Sequence, residues 1–476
     1  MDNAIVLLPE LLLVLLGLAV LIAARFAPRL IAPLSTYGLV AAFGVLLGQA
    51  LIGAVGGPAF ANAVQIGPLA GFFRGAILLA VAAASALAWG EAHPSPHLRF
   101  GLLIASALGA LGMAGAADWV ILYLSATVMG TALLGLVALG PSRARQETML
   151  KLFLVQAVAG AVMLFGLTWL YGLGGSTSYV ALGSALQTPD SLLTYALLLV
   201  LGGLAFTVAA VPFHAWLPDA TEGSAPSTGA WLLGGASLAA VAGVTRVLMM
   251  VFSTNTGLWA PYVTGLAVLS LLAGSLLALA QSELRRMLAF ASVGTTGFGL
   301  LSLVAASHPA SSQDGLMALL MTVLTAGIAT LGLFAGFGAA GARTLTDLTG
   351  LHRRQPGLAL ALSACAIALA ALPLAGAFWA RISLVRAILV YVSQSMLFGA
   401  LALAVLVMLT TVVMAYTALR VPKAIYLPTT DAPIPSDQAP PSPQLAVLWL
   451  CALASVFFFV APSLLWSLVG AATRGF

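Results

Sequence analysis

The chain has 476 residues, 62% of them hydrophobic and only 7% charged, with a formal net charge of +5 and a mean hydropathy of +1.11. A soluble domain carries about 25% charged residues, so this composition excludes a soluble fold and describes a protein of the lipid bilayer. The small positive balance gives no reason to expect nucleic acid as a partner and fits basic loops at a membrane surface.

Apolar stretches of about 20 residues recur without period-two alternation, which selects helices over a closed barrel. Fourteen spans are predicted, at 4–24, 31–55, 68–90, 100–116, 118–140, 149–173, 191–215, 228–252, 259–281, 287–306, 315–340, 357–379, 396–420 and 444–470. The fold class is an all-α polytopic bundle. The first span begins MDNAIVLLPELLLVLLG, with an acidic start and no basic region before it. It reads as a retained spanning helix and not a cleaved signal peptide. Cys365 and Cys451 both fall in apolar stretches. They read as small buried hydrophobes, too few for a metal site or a disulfide framework.

Loops after odd-numbered spans hold Arg25, Arg29, Arg99, Arg143, Arg145, Lys151, Arg285, Arg286, Arg343, Arg353, Arg354, Arg420 and Lys423, which is 13 of the 18 cations. By the positive-inside rule those loops are cytoplasmic and both termini face outside. Between the last two spans, residues 427–443 (LPTTDAPIPSDQAPPSP) are polar and proline-rich and read as an extended loop.

Span seven contains AAVPFHAW around Pro212, and span twelve contains AALPLAGAFW around Pro373. Each proline removes a backbone donor and clashes with the preceding turn, so both helices are expected to break and resume as second half-helices. The prolines lie five spans apart, an odd number, so a five-span repeat would be inverted in the membrane. Matched breaks in inverted repeats point to an ion path, although a proline in a membrane helix can also be an incidental kink. The chain then divides into a three-helix segment (1–99), two repeats (100–252 and 253–426), the loop (427–443) and a last helix (444–476).

Ionisable groups within hydrocarbon cost about 2.5–3.5 kcal/mol on insertion scales and mark function or partners. Glu10, Arg74 and Asp118 lie near span ends, where snorkelling makes them cheap. Arg246, late in span eight, is placed to snorkel as well. His214 and Arg381 adjoin the two breaks and are the stronger candidates, with capture of a freed carbonyl as the structural alternative for His214.

These residues carry a resemblance. The start LPELLL, the stretch MLKLFLVQAVAGAVMLFGLTWLYGLGGST (149–177), VPFHAWLPDATEGSAPS with Ser224 as an extra residue, LRRMLAFASVGTTGFGLL (284–301), GLHRRQPGLALAL followed by LPLAGAFWARISLVRAI, and RVPKAIYLP (420–428) together resemble the antiporter-like membrane subunits of respiratory complex I, most closely the N type. The LPDA portion is closer to the M and L types and to cation/proton antiporter and hydrogenase subunits. The resemblance implies a place in the membrane arm of a bacterial plasma-membrane complex, between K-type and M-type neighbours. It implies that NADH, FMN, Fe–S clusters and quinone belong to partner subunits, with no redox site in this chain.

In that family a span-five Glu and Lys residues in spans seven, eight and twelve form a proton path, because burial makes a lysine release its proton readily. Alignment on this chain places Thr127, Thr207, Leu238 and Arg381 at those positions, and Thr295 where a tenth-span His is common. The chain has two lysines, Lys151 and Lys423, both at span ends, so no realignment supplies a central one. The resulting expectation is an antiporter-like scaffold whose own proton path is lost or greatly weakened. The alternatives are an active translocating subunit of complex I, a Mrp-type antiporter or a membrane-bound hydrogenase, and, outside this family, a solute transporter built on inverted repeats.

Overall fold

The computed structural model describes residues 6–51, 57–60, 62–91, 95–139, 143–187, 190–392, 397–427 and 442–473. Twelve helices among them are long and apolar enough to cross a bilayer: Leu8–Phe26, Pro28–Leu51, Pro68–Trp89, Pro96–Gly115, Trp119–Ala138, Gln146–Gly174, Pro226–Val251, Ser253–Ala280, Leu284–Ala306, Ser312–Ala340, Leu401–Tyr426 and Pro443–Val460. They coincide with predicted spans one to six, eight to eleven, thirteen and fourteen. Spans seven and twelve are split as expected, into Ser191–Thr207 with Trp216–Gly223 and Pro356–Leu369 with Ala377–Val392. Span fourteen differs from the expected single run over 444–470. It leaves the helix at Ala461, and Pro462–Ala472 forms a separate helix, because Pro462 has no donor with which to continue the ladder. The proline-rich loop lies almost wholly outside the described residues.

The loop between spans two and three adds a small antiparallel hairpin, Gly57–Ala59 with Val64–Ile66. Single bridges continue it from Val64 to Ala116 and from Asp118 to Ser178. Irregular backbone at this membrane face thereby finds partners in neighbouring loops, as at Ala117 N to Ala63 O (3.0 Å) and Tyr179 N to Ala117 O (3.0 Å).

Lipid tails are as apolar as leucine, so spans associate through close packing. Backbone meets backbone most closely, among the described glycines, between spans nine and ten, where a Cβ on Gly274 would lie 2.2 Å from the Gly294 nitrogen. Spans four and five meet similarly, with Gly109 facing the Met129 nitrogen at 2.5 Å. Spans eight, ten and eleven form the interior, and spans one and six are the most open to the surroundings.

Charged groups close the opposite membrane face. Glu91, after span three, accepts from the Ser227 amide and hydroxyl (both 2.8 Å) and from Arg99 Nη1 (2.8 Å), tying the first helices to the start of span eight. Arg286 of span ten donates to Asp219 (3.1 Å) and Glu222 (2.8 Å) on the second half of span seven. The extra residue Ser224 ends that half-helix, buried, and its carbonyl accepts from Arg285 Nη1 at 2.9 Å. Asp347 caps a short turn, accepting from the Arg343 and Thr344 amides at 2.9 and 2.8 Å. Burial works to raise its pKa, but the amides of Thr344 and Arg343 outweigh that and hold it below the ordinary carboxylate range.

Gly274→Ala places a methyl against backbone that cannot swing aside and should destabilise the bundle by about 1–3 kcal/mol or more. Gly48→Ala, which meets no heavy atom within 4 Å, should leave thermal unfolding of the detergent-solubilised protein unchanged. Asp347→Ala should weaken the 345–348 turn by about 0.5–2 kcal/mol. Because the folded pKa is lowered, that stabilisation is present above the ordinary carboxylate range and fades as pH falls through it. Hydrogen exchange of the turn amides, measured at neutral and at acidic pH, reads both effects.

Candidate functional site

Span seven stops at Thr207. Ala209 takes a left-handed conformation (φ 53°), the Val211–Pro212 peptide is cis, and helix resumes at Trp216. The groups freed by the break have specific partners. Val211 N donates to Ser270 Oγ (2.9 Å), Thr296 Oγ1 donates to Val208 O (3.0 Å), and Trp216 Nε1 donates to Phe206 O (3.3 Å). Spans nine and ten thus hold the break open. His214 takes none of these carbonyls. It is half-buried, and its ring lies 6.2 Å from that of Phe290.

Span twelve stops at Leu369 and resumes at Ala377 around Pro373, with positive φ at Ala371 (52°) and Leu374 (143°). Here span fourteen supplies the partner, through Gly376 N to Ser455 O at 3.1 Å. The two breaks match in kind but not in register: the first left-handed residue sits three positions before Pro212 and two before Pro373.

Thr127 and Thr207 come together. Both line a cavity of about 240 Å³ with Tyr123, Thr131, Gln156 and Trp216. Each threonine commits its proton to a carbonyl one turn back: Thr127 to Tyr123 O (2.8 Å), Thr131 to Thr127 O (2.8 Å) and Thr207 to Gly203 O (2.9 Å). The hydroxyls therefore offer acceptor lone pairs to the cavity. At about 30 Å³ per molecule in the liquid, the space equals on the order of eight waters. Among the described residues, no carboxylate, lysine, arginine or histidine lines it. Tyr123, Thr131 and Gln156 escaped the sequence reading. The i, i+4 spacing of Tyr123, Thr127 and Thr131 on span five was the available signal, together with Gln156 as a lone amide in span six.

The other candidates stand apart from this cavity. Leu238 is 4% exposed and lies beside Gly234, Gly327 and Leu331 in the wall of a separate apolar groove. Arg381 is 8% exposed, with its guanidinium 3.4 Å from the Phe298 ring centroid. Among the described residues its Nε and Nη1 have no hydrogen bond and no carboxylate lies within ion-pairing distance of it. Arg246 does not snorkel. It is 3% exposed and donates from Nε to Ala116 O at 2.5 Å. Arg74 is also buried, against Glu10, so this pair is internal and does not reach for the interface. Asp118 caps span five, accepting from Val120 N (2.7 Å) and Thr177 Oγ1 (2.6 Å). Among the described residues, no three His, Cys, Asp or Glu side chains are grouped so as to hold a metal ion.

Residues 116–410 match the transmembrane family described as NADH:quinone oxidoreductase/Mrp antiporter. The chain is 34% identical over 382 residues to NADH-quinone oxidoreductase subunit N 2 of Acidobacterium capsulatum, covering 77% of this chain and 75% of that protein. It is 35% identical over 336 residues to NAD(P)H-quinone oxidoreductase subunit 2 of Synechococcus sp. (strain CC9311), covering 69% of this chain and 63% of that protein. A chain of respiratory complex I from Thermus thermophilus with bound Aureothin superposes with a TM-score of 0.80 at 25% identity, covering 97% of this chain and 99% of that one. A chain of the Mrp complex from Dietzia sp. DQ12-45-1b shares the fold, with a TM-score of 0.84 at 22% identity over 99% of this chain and 96% of that one. Sequence match and overall fold agree, and the chain belongs to the NADH:quinone oxidoreductase/Mrp antiporter transmembrane family.

Proposed function

We propose that this chain is an antiporter-like membrane-arm subunit of a complex I-type NADH:quinone oxidoreductase, and that its own proton path is lost or greatly weakened. It is enzymatic only as part of that complex. NADH, FMN, Fe–S clusters and quinone belong to partner subunits, and K-type and M-type subunits flank it in a bacterial plasma membrane. The charge bias of the loops supports cytoplasmic odd loops and outward termini. The broken helices support two inverted five-span repeats, at 100–252 and 253–426.

One observation carries the reading: the axis between the breaks is neutral where Thr127, Thr207 and Leu238 stand, and its buried cation is an arginine. A threonine hydroxyl orders water but holds no charge. Leucine does not hydrate. Arg381 keeps its proton, so it supplies a fixed charge to which a relay cannot hand protons back and forth. The cavity beside Thr127 and Thr207 favours the second reading, an active translocating subunit, since water there would extend a proton wire through neutral groups.

The two readings part in a pumping assay. In proteoliposomes, complex carrying Thr207→Val together with Arg381→Ala should keep the parental ratio of protons moved per electron. A clear fall in that ratio, with electron transfer intact, would establish the translocating reading instead.

A further inference from the structure

The groove walled by Leu238 has a volume of about 1570 Å³ and is lined chiefly by spans two, three, eleven and fourteen. Its floor is span three, where Gly71, Gly75, Ala76, Ala80 and Ala83 leave the backbone low. Water cannot fill it: on the order of 50 molecules would be needed, and water in a cavity requires two to four polar partners each, which this lining lacks. A neighbour's spanning helix is also a poor occupant. A helix is about 10–12 Å across, too thick to follow the groove to its innermost part. The innermost part, between Gly234, Leu238 and Gly327, lies among buried residues of spans eight and eleven that so thick a rod does not reach.

We infer that the groove is a binding site for one diacyl phospholipid, with an acyl chain lying against Leu238 and sealing the subunit's axis from the side. A methylene takes up about as much space as a water molecule, so two acyl chains fit the volume. The groove runs the length of span three, from Pro68 to Gly90, which is the thickness of the hydrocarbon core. Tyr37 and Trp89 stand at one end with their rings 6.1 Å apart and edge-on, both partly exposed. Such amphipathic rings sit at headgroup level. Arg25 and Arg29, exposed in the connection between spans one and two, put positive charge on the membrane face where span three ends at Trp89, which complements a phosphate. The inference rests on the proposal of a closed axis and adds what closes it: an axis walled by leucine and hydrocarbon has no room for a water file.

The test uses the whole complex in vesicles of phosphatidylethanolamine and phosphatidylglycerol containing a phospholipid with a photoactivatable diazirine in mid-chain. Illumination should place adducts on the span-three floor and on the peptide carrying Leu238, besides the bilayer-facing leucines. Gly75→Leu with Ala83→Leu fills the slot and should cut the Leu238-peptide adducts roughly tenfold, leaving outward-facing labelling as an internal measure of folding. Adducts confined to the outward face in the parent complex would overturn the site. So would cross-links from Ala83→Cys to a neighbouring subunit, which would show a protein occupant. Pumping unchanged by Thr207→Val with no groove adducts would sink the lipid site and leave the functional proposal standing.

Discussion

A helix cannot open inside hydrocarbon unless other groups take the backbone donors and acceptors it releases. Every functional feature of this chain depends on that constraint. At span seven the released groups go to Ser270, Thr296 and Trp216, side chains from spans nine and ten and from the resumed helix. At span twelve the carbonyl of Ser455 on span fourteen is the partner. The breaks are therefore built into the packing of five or six spans, and they persist whether or not protons pass. Under the proposal of a lost proton path, such a scaffold would keep the architecture of a translocator without its titrating residues.

The same low dielectric sets the terms for charge. Buried cations in this chain have different solutions. Arg74 pairs with Glu10, and Arg246 donates to the Ala116 carbonyl. Arg381 rests on the Phe298 ring, a cation–π contact that offsets part of the cost of burial. None of these groups is a lysine, whose protonation desolvation tips most easily. Neutral hydroxyls stand at Thr127 and Thr207, and each gives its proton to its own helix.

Much of this was legible in the residues. Span number, the two breaks at Pro212 and Pro373 and the family resemblance rest on local composition and on motifs, which a sequence displays directly. Thr127 and Thr207, singled out by alignment, share a cavity, because alignment to a family carries its spatial arrangement. What was not legible depends on side-chain direction across the bundle. Arg74 and Arg246 looked able to snorkel from their distance to span ends, yet both turn inward to partners on other spans. Of the carbonyls freed at the first break, those of Val208 and Phe206 go to Thr296 and Trp216, which no pattern local to His214 and Pro212 announces. The groove beside Leu238 assembles small residues from spans that lie far apart in sequence, and no local pattern announces it.

The central claim is that no hydrated file joins the two breaks. Ordered water in a high-resolution density map of the assembled complex tests it most directly. The account predicts a cluster of waters confined to the cavity of Thr127, Thr207 and Gln156, with the stretch past Leu238 toward Arg381 dry. A continuous chain of waters from that cavity to the Arg381 guanidinium would contradict it.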